Sequence, residues 1–225
     1  MQLLKKIFLY SSLILGVIIS VFPFYWLLVL ATNKSSVTYA YPPKWSFGSE
    51  FITNIKTVFA EVAFFDALLN TVFVATTTTF FVVFLSSLSG FIFAKFDFPG
   101  KNFLFVFTLA TMMIPSQLSL IPMYSIMQDF GWANSYKALI IPGLVSAFGI
   151  FWIKQYSEGA IHEDLLNAAR IDGAGIFRMY FSVALPILKP ALVFLGIFTF
   201  MGSWNEYLWP LIILMILQNI HLWLH

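Results

Sequence analysis

Glu206 is the one charged residue in the run Ala191–Leu217, and Trp204, Asn205 and Tyr207 stand beside it. A carboxylate deep in a bilayer costs about 3 kcal/mol to insert, so such a group faces a partner or a watery path. Two placements fit these residues. In one, the four side chains line a polar route, with rings offering flat faces and the amide and carboxylate bonding hydroxyls. In the other, Glu206 lies near enough to the outer interface to be solvated or paired with a subunit. At 1.5 Å per residue a helix from Ala191 reaches Glu206 after about 22 Å, so the two readings stand level.

A second group lies in a polar stretch. Glu163-Asp164-Leu165-Leu166-Asn167-Ala168-Ala169-Arg170-Ile171 carries acids in its first turn and Arg170 near its end, the arrangement a helix dipole favours. Asp172-Gly173 ends that helix, because glycine accepts the left-handed conformation that follows many helix C-termini. A second short helix is expected over roughly Ala174–Val183, with Ile176, Phe177, Tyr180 and Phe181 on one side, before Pro186 and Pro190 lead into the last span. The whole segment 154–190 is too polar to cross a membrane and too apolar to be disordered, so it is expected to dock on something.

Catalytic and metal chemistry find no support. There is no Cys, which removes thiolates, disulfides and Cys-based metal sites. His162, His221 and His225 lack the spacing of a metal-binding motif, and His221 and His225 are too few ligands for a structural site. No convergent set of titratable groups marks an active site, and no phosphate-binding Gly-x4-Gly-Lys-Ser/Thr sequence occurs. A formal charge of +2 is too small to suggest a nucleic-acid partner.

The elements that must position these groups follow from composition. The chain has 225 residues, 60% hydrophobic and 10% charged, against about 45–50% and about 25% in soluble domains. Lipid must cover much of its surface, and an all-α integral membrane bundle is expected. Long apolar runs mark five spans: Ile7–Ala31, Ala67–Ala94, Phe103–Met127, Ala138–Ile153 and Ala191–Leu217. The first follows Lys5 and Lys6, is longer than a signal-peptide core and lacks a cleavage site, so 1–31 is expected to be a retained anchor span.

Lys5, Lys6, Lys95, Lys101, Lys154, Arg170, Arg178 and Lys189 fall on one side of these spans, with Lys34, Lys44, Lys56 and Lys137 on the other. The basic excess places the first side, and the N-terminus, in the cytoplasm. The extracytoplasmic segment 32–66 then holds an amphipathic helix, with Phe51, Ile55, Val58, Phe59 and Val62 opposite Asn54, Lys56 and Glu61. It lies at the outer interface or packs on neighbouring spans. Pro23, Pro115, Pro122, Pro142 and Pro210 interrupt helical ladders at membrane depth. Ser86, Ser87, Ser89 and Gly90 favour close helix packing on the second span.

Asn167-Ala168-Ala169, Gly173, Val183 and Leu185-Pro186, at their spacing, resemble the EAA loop of binding-protein-dependent ABC importer permeases. Ala168 to Ala174 and Leu185 to Pro190 carry the same likeness, as do Ser203 to Leu211, Met113-Ile114-Pro115 and Ser146 to Phe151. These last point to the carbohydrate uptake branch, similar to the smaller membrane subunit of maltose-type importers. The resemblance implies a permease without catalytic residues or a cofactor of its own, ATP being bound by a partner. Its partners would be a second permease subunit, two ATP-binding subunits, an extracytoplasmic sugar-binding protein and membrane lipid, in a bacterial inner membrane. Glu163, Asp164, Leu165, Asn167, Ala168, Ala169, Arg170, Asp172 and Gly173 would couple to the ATPase, while Trp204, Asn205, Glu206 and Tyr207 would line the sugar path.

Two departures from the family stand out. Asn167 replaces a glutamate and cannot make a charge-assisted bidentate pair with arginine, which shifts docking toward Glu163 and Asp164; His162 replaces a proline. The chain offers five spans where the family implies six, with the C-terminal helix missing from the permease core 67–225. A truncated, non-transporting membrane scaffold derived from such a permease is the alternative, and it would not require a docked loop.

Overall fold

The computed structural model describes residues 2–214, and among them the chain is all helical, forming a membrane-type α-bundle with no strand. Residues from Met215 on, including the expected end of the last span at Leu217 and the pair His221 and His225, lie outside the described residues. Two compact units divide between Leu68 and Leu69.

In the first unit, α1 (Gln2–Ala31) is one unbroken helix through Pro23, its apolar side chains exposed along almost the whole length as suits a span in lipid. The chain after it folds back on its C-terminal end. Asn33 Nδ2 donates to the Val29 and Ser46 carbonyls at 2.7 and 3.0 Å. Asn54 Nδ2 donates to those of Ala31 and Asn33 at 2.9 and 2.8 Å. Two amides thus satisfy carbonyls that a helix end leaves without partners. Trp45 packs on Trp26, ring centroids 5.2 Å apart. The expected amphipathic helix forms as α2 (Phe51–Glu61), with none of its residues buried; Asn54 turns to its own chain while Phe51, Ile55, Val58 and Phe59 stay exposed.

The second unit holds most of α3 (Phe64–Lys95), then α4 (Lys101–Thr111), α5 (Leu120–Asp129), α6 (Tyr136–Ile140), α7 (Ala147–Ala160), α8 (Glu163–Ile171), α9 (Ile176–Met179) and α10 (Leu185–Trp204). A further helix runs over 208–214. Ala75, Thr78, Val82, Ser86 and Gly90, with Ser87 and Phe91 beside them, form one buried face of α3, recurring every three or four residues as a helical stripe must. Small residues bring α7 close to it: a Cβ at Gly90 would sit 2.7 Å from Ile153 Cβ, and one at Gly149 would sit 2.4 Å from Ser86 Oγ. α10 packs on α7 through Trp152 and Phe194, 4.4 Å between centroids, and Trp152 Nε1 donates to the Ala191 carbonyl at 3.2 Å.

Among the described residues, four helices are long and apolar enough to cross a membrane, or up to five if one bent pair is a single span. That pair corrects the expectation of a continuous span over Phe103–Met127. Lys101–Thr111 and Ser116–Asp129 meet at 88°, because Pro115 has no N–H to continue the ladder and keeps Ile114 out of the helical region. The chain crosses the gap with i→i+3 bonds, Met113 N to the Ala110 carbonyl and Ile114 N to that of Thr111.

The expected span Ala138–Ile153 extends over Tyr136–Ala160, interrupted by a 3-10 turn at Ile141–Gly143. The span Ala191–Leu217 is displaced. Its helix starts at Ile176 and ends at Trp204, so the short helix expected over Ala174–Val183 merges with it. A π-turn at Tyr180–Ala184 widens the ladder just before Pro186 and lets the helix run on where a proline ring would crowd the preceding turn.

Candidate functional site

The first candidate surface is α8 and the turn after it. α7 ends at Ala160 and α9 begins at Ile176, so the connection outside the long helices is 161–175. Its helix occupies Glu163–Ile171, and Gly173 takes φ +74°. Gly173 N donates to the Arg170 carbonyl at 3.0 Å and Ala174 N to that of Ala169 at 2.9 Å, the paired bonds of a Schellman termination.

A helix of this length is marginal alone, since isolated helices need about 12–15 residues. What fixes it is its inner side. Leu166 is 0% exposed and lies in the core formed with Phe91, Ile153, Ile161, Met179 and Tyr180. Lys95 Nζ, its side chain only 7% exposed, donates to Glu163 Oε1 at 3.2 Å, joining the last turn of α3 to the first of α8. Arg170 Nη1 donates to Asn167 Oδ1 at 2.7 Å, and its guanidinium lies 5.9 Å from the Phe96 ring centroid. The polar contacts of Glu163, Asn167 and Arg170 are therefore made within the chain. Asp164, Leu165, Ala168, Ile171, Asp172 and Gly173 remain exposed, and Ala169 is half-buried. Just beyond, the Tyr180 hydroxyl and Ser87 Oγ lie 2.6 Å apart, tying α3 to the chain that leaves the loop.

The second candidate surface is a cavity of about 450 Å³ where three chain breaks and the middle of α3 meet. The α4–α5 gap contributes Ser116, Gln117 and Ser119; the α6–α7 gap contributes Pro142 and Gly143; the end of α10 and the break after it contribute Thr199, Gly202, Ser203 and Glu206. Thr78 faces it from α3, and Trp209 closes one wall. Helices that stop here expose the polar backbone that unbroken spans hide, which is tolerated at membrane depth only where it lines protein or a water-filled cavity.

Of the four residues expected on a path, the structure brings only Glu206 to this cavity. It lies in the break between α10 and the helix over 208–214, and its Oε1 accepts from Trp209 N at 3.2 Å, satisfying a first-turn donor. Asn205 caps its own helix, Nδ2 to the Met201 carbonyl at 2.7 Å. Trp204 stacks on Phe200 at 5.7 Å, and Tyr207 is exposed. Trp209, held by Nε1 donating to the Ala138 carbonyl at 2.9 Å, is the ring that lines the space instead. The residues whose place in these surfaces sequence reasoning did not give are Lys95, Leu166, Thr78, Ser116, Ser119 and Thr199. Lys95 was informative there only as a loop charge. Among the described residues no cluster of His, Asp or Glu suits a metal ion.

Residues 82–219 match the family model described as binding-protein-dependent transport system inner membrane component, a stretch that holds α7 to α10 with the loop between them. The chain belongs to this family. Among its relatives is the lactose transport system permease protein LacG of Rhizobium radiobacter, 33% identical over 211 residues, covering 94% of this chain and 76% of the relative. The sn-glycerol-3-phosphate transport system permease protein UgpE of Salmonella typhi is 32% identical over 214 residues, with 92% and 76% covered. The solved structure of a bacterial ABC transporter involved in the import of the acidic polysaccharide alginate aligns with a TM-score of 0.80 at 21% identity, covering 97% of this chain and 78% of that one, a likeness of fold. The protein is thus a multi-pass permease-type component of the bacterial inner membrane, and the relatives quoted are permease subunits rather than enzymes.

Proposed function

We propose that this permease is one membrane subunit of an ATP-driven carbohydrate importer, contributing half of the translocation path and taking its energy from a separate ATPase. Its partners on this reading are a second permease subunit, two ATP-binding subunits and an extracytoplasmic sugar-binding protein. The N-terminus is cytoplasmic, so α8 faces the ATPase; Lys95, Lys154 and Arg170 gather at that end of the unit, with Lys154 over the Phe105 ring at 4.7 Å, consistent with a positive inner side. The relative named for lactose supports a carbohydrate cargo.

The observation that carries the coupling role is the two-sidedness of α8. Leu166 and Lys95 fix its inner side to the bundle, while Asp164, Leu165, Ala168, Ile171 and Asp172 are open. A helix held this way transmits a push on its outer side to α3 and α10 without deforming, because packed cores shift as rigid bodies. When ATP draws the two ATPase subunits together, the surfaces holding α8 move, and the spans follow. Substituting Gly173 by Val tests this. A β-branched side chain strongly resists φ near +74°, so the assembled complex in proteoliposomes is expected to insert normally yet lose sugar uptake and sugar-stimulated ATP hydrolysis. Normal stimulation in Gly173→Val would overturn the coupling role of this turn.

A further inference from the structure

The cavity carries a statement about charge that the proposed function leaves open. Its lining includes the hydroxyl-bearing residues Ser116, Ser119, Thr199 and Ser203, the amide residue Gln117 and the carboxylate residue Glu206, and no Lys, Arg or His among the described residues. The volume of about 450 Å³ falls in the range of small-molecule sites, roughly 300–1,000 Å³, and the Trp209 indole gives the wall an aromatic element.

We infer that this cavity is a solute subsite selective for uncharged polyhydroxylated molecules, in which Glu206 bonds hydroxyls and repels anions. This rests on the transport reading above and narrows its cargo to neutral saccharides, in contrast to the phosphate ester named for UgpE and the acidic polysaccharide of the alginate importer. A carboxylate accepts two or more hydroxyl hydrogen bonds, each charge-assisted and stronger than a neutral one. Toward a second carboxylate or a phosphate it offers only like-charge repulsion, in a space where no cation from this chain offsets it. Glu206 is held in place for this by its bond to Trp209 N, which occupies Oε1 and leaves Oε2 for solute.

The test is equilibrium binding of radiolabelled methyl glucoside and glucuronate, a pair matched in size and differing in charge, to the assembled complex in nanodiscs without the binding protein. Wild type is expected to favour methyl glucoside by at least about tenfold, the least that two like unit charges several ångströms apart should give at intermediate dielectric. Glu206→Gln keeps an oxygen for Trp209 N and is expected to cut the preference to about threefold or less. Absence of saturable methyl glucoside binding, equal wild-type affinity for both probes, or an unchanged ratio in Glu206→Gln would each overturn the inference. ATP-coupled uptake of an anionic solute by the same complex would refute neutral selection while leaving the transporter reading intact, whereas loss of coupling would be seen separately in the hydrolysis assay.

Discussion

Replacing Leu166 by Ala should detach α8 from the bundle while leaving the bundle folded. Leu166 is completely buried, and truncating such a leucine costs about 2–5 kcal/mol. The other attachments of α8 are smaller. The Lys95–Glu163 pair has one partner 58% exposed and is worth about 1 kcal/mol at most; Arg170 over Phe96 adds about 0.5–1 kcal/mol. A loss of about 3 kcal/mol therefore removes the larger part of what holds a nine-residue helix. At about 1.4 kcal/mol per decade, local opening over 163–171 should become roughly a hundredfold more frequent. Hydrogen exchange of these amides in the detergent-solubilised complex reads this directly, with the amides of α3 and α10 as internal controls. Leu165→Ala, on the open side, should leave exchange unchanged and weaken ATPase binding instead. A rise of less than about threefold in Leu166→Ala, or a parallel rise in α10, would refute the assignment of Leu166 as the anchor of a separable helix.

Gly90→Ala is expected to lower the thermal midpoint of the complex by disrupting the α3–α7 contact, at a cost of about 1–3 kcal/mol, because the new Cβ would also lie 2.9 Å from the Lys154 backbone nitrogen, which no rotamer change relieves. Asn167→Glu should form an ion pair with Arg170 one turn on, adding about 0.2–0.5 kcal/mol to α8, with uptake equal to wild type or higher; a clear loss of uptake would show that Asn167 is needed as an amide. Reporters fused after Lys101 or Arg178 should be cytoplasmic and one after Gln128 outside, and a cytoplasmic reporter at Gln128 would show that the bent pair α4–α5 does not cross.

Much of the loop was legible because its signals are local. Acids in the first turn, Arg170 in the last and a glycine after Asp172 describe a helix end without any tertiary information, and the turn forms as those residues imply. Which leucine anchors the helix was not, since Leu165 and Leu166 are adjacent and only the position of α3 and α9 decides between them. Hydropathy marks where apolar chain lies but does not register direction, so Pro115 signalled an interrupted ladder without its angle of 88°, and the break at Asn205 was hidden inside a greasy run. The cavity was illegible for a different reason: Thr78, Gln117, Pro142 and Thr199 are ordinary residues of separate segments, and their meaning arises only from three helix ends stopping at one level.

α3 carries both surfaces on one rod. Thr78 and Lys95 are 17 residues apart on it, about 25 Å at 1.5 Å per residue, and the buried face between them leaves no break in which a strain at one end could dissipate. On the functions proposed here, the two ends are then bound by reciprocity: whatever factor ATPase closure imposes on the cavity's affinity for solute, solute in the cavity must impose on the affinity of α8 for the ATPase. The energy available to expel a solute is accordingly bounded by the docking energy that α8 can exchange. A tightly held solute therefore demands a correspondingly large change in docking, and the loosely polar lining of the cavity keeps that demand small.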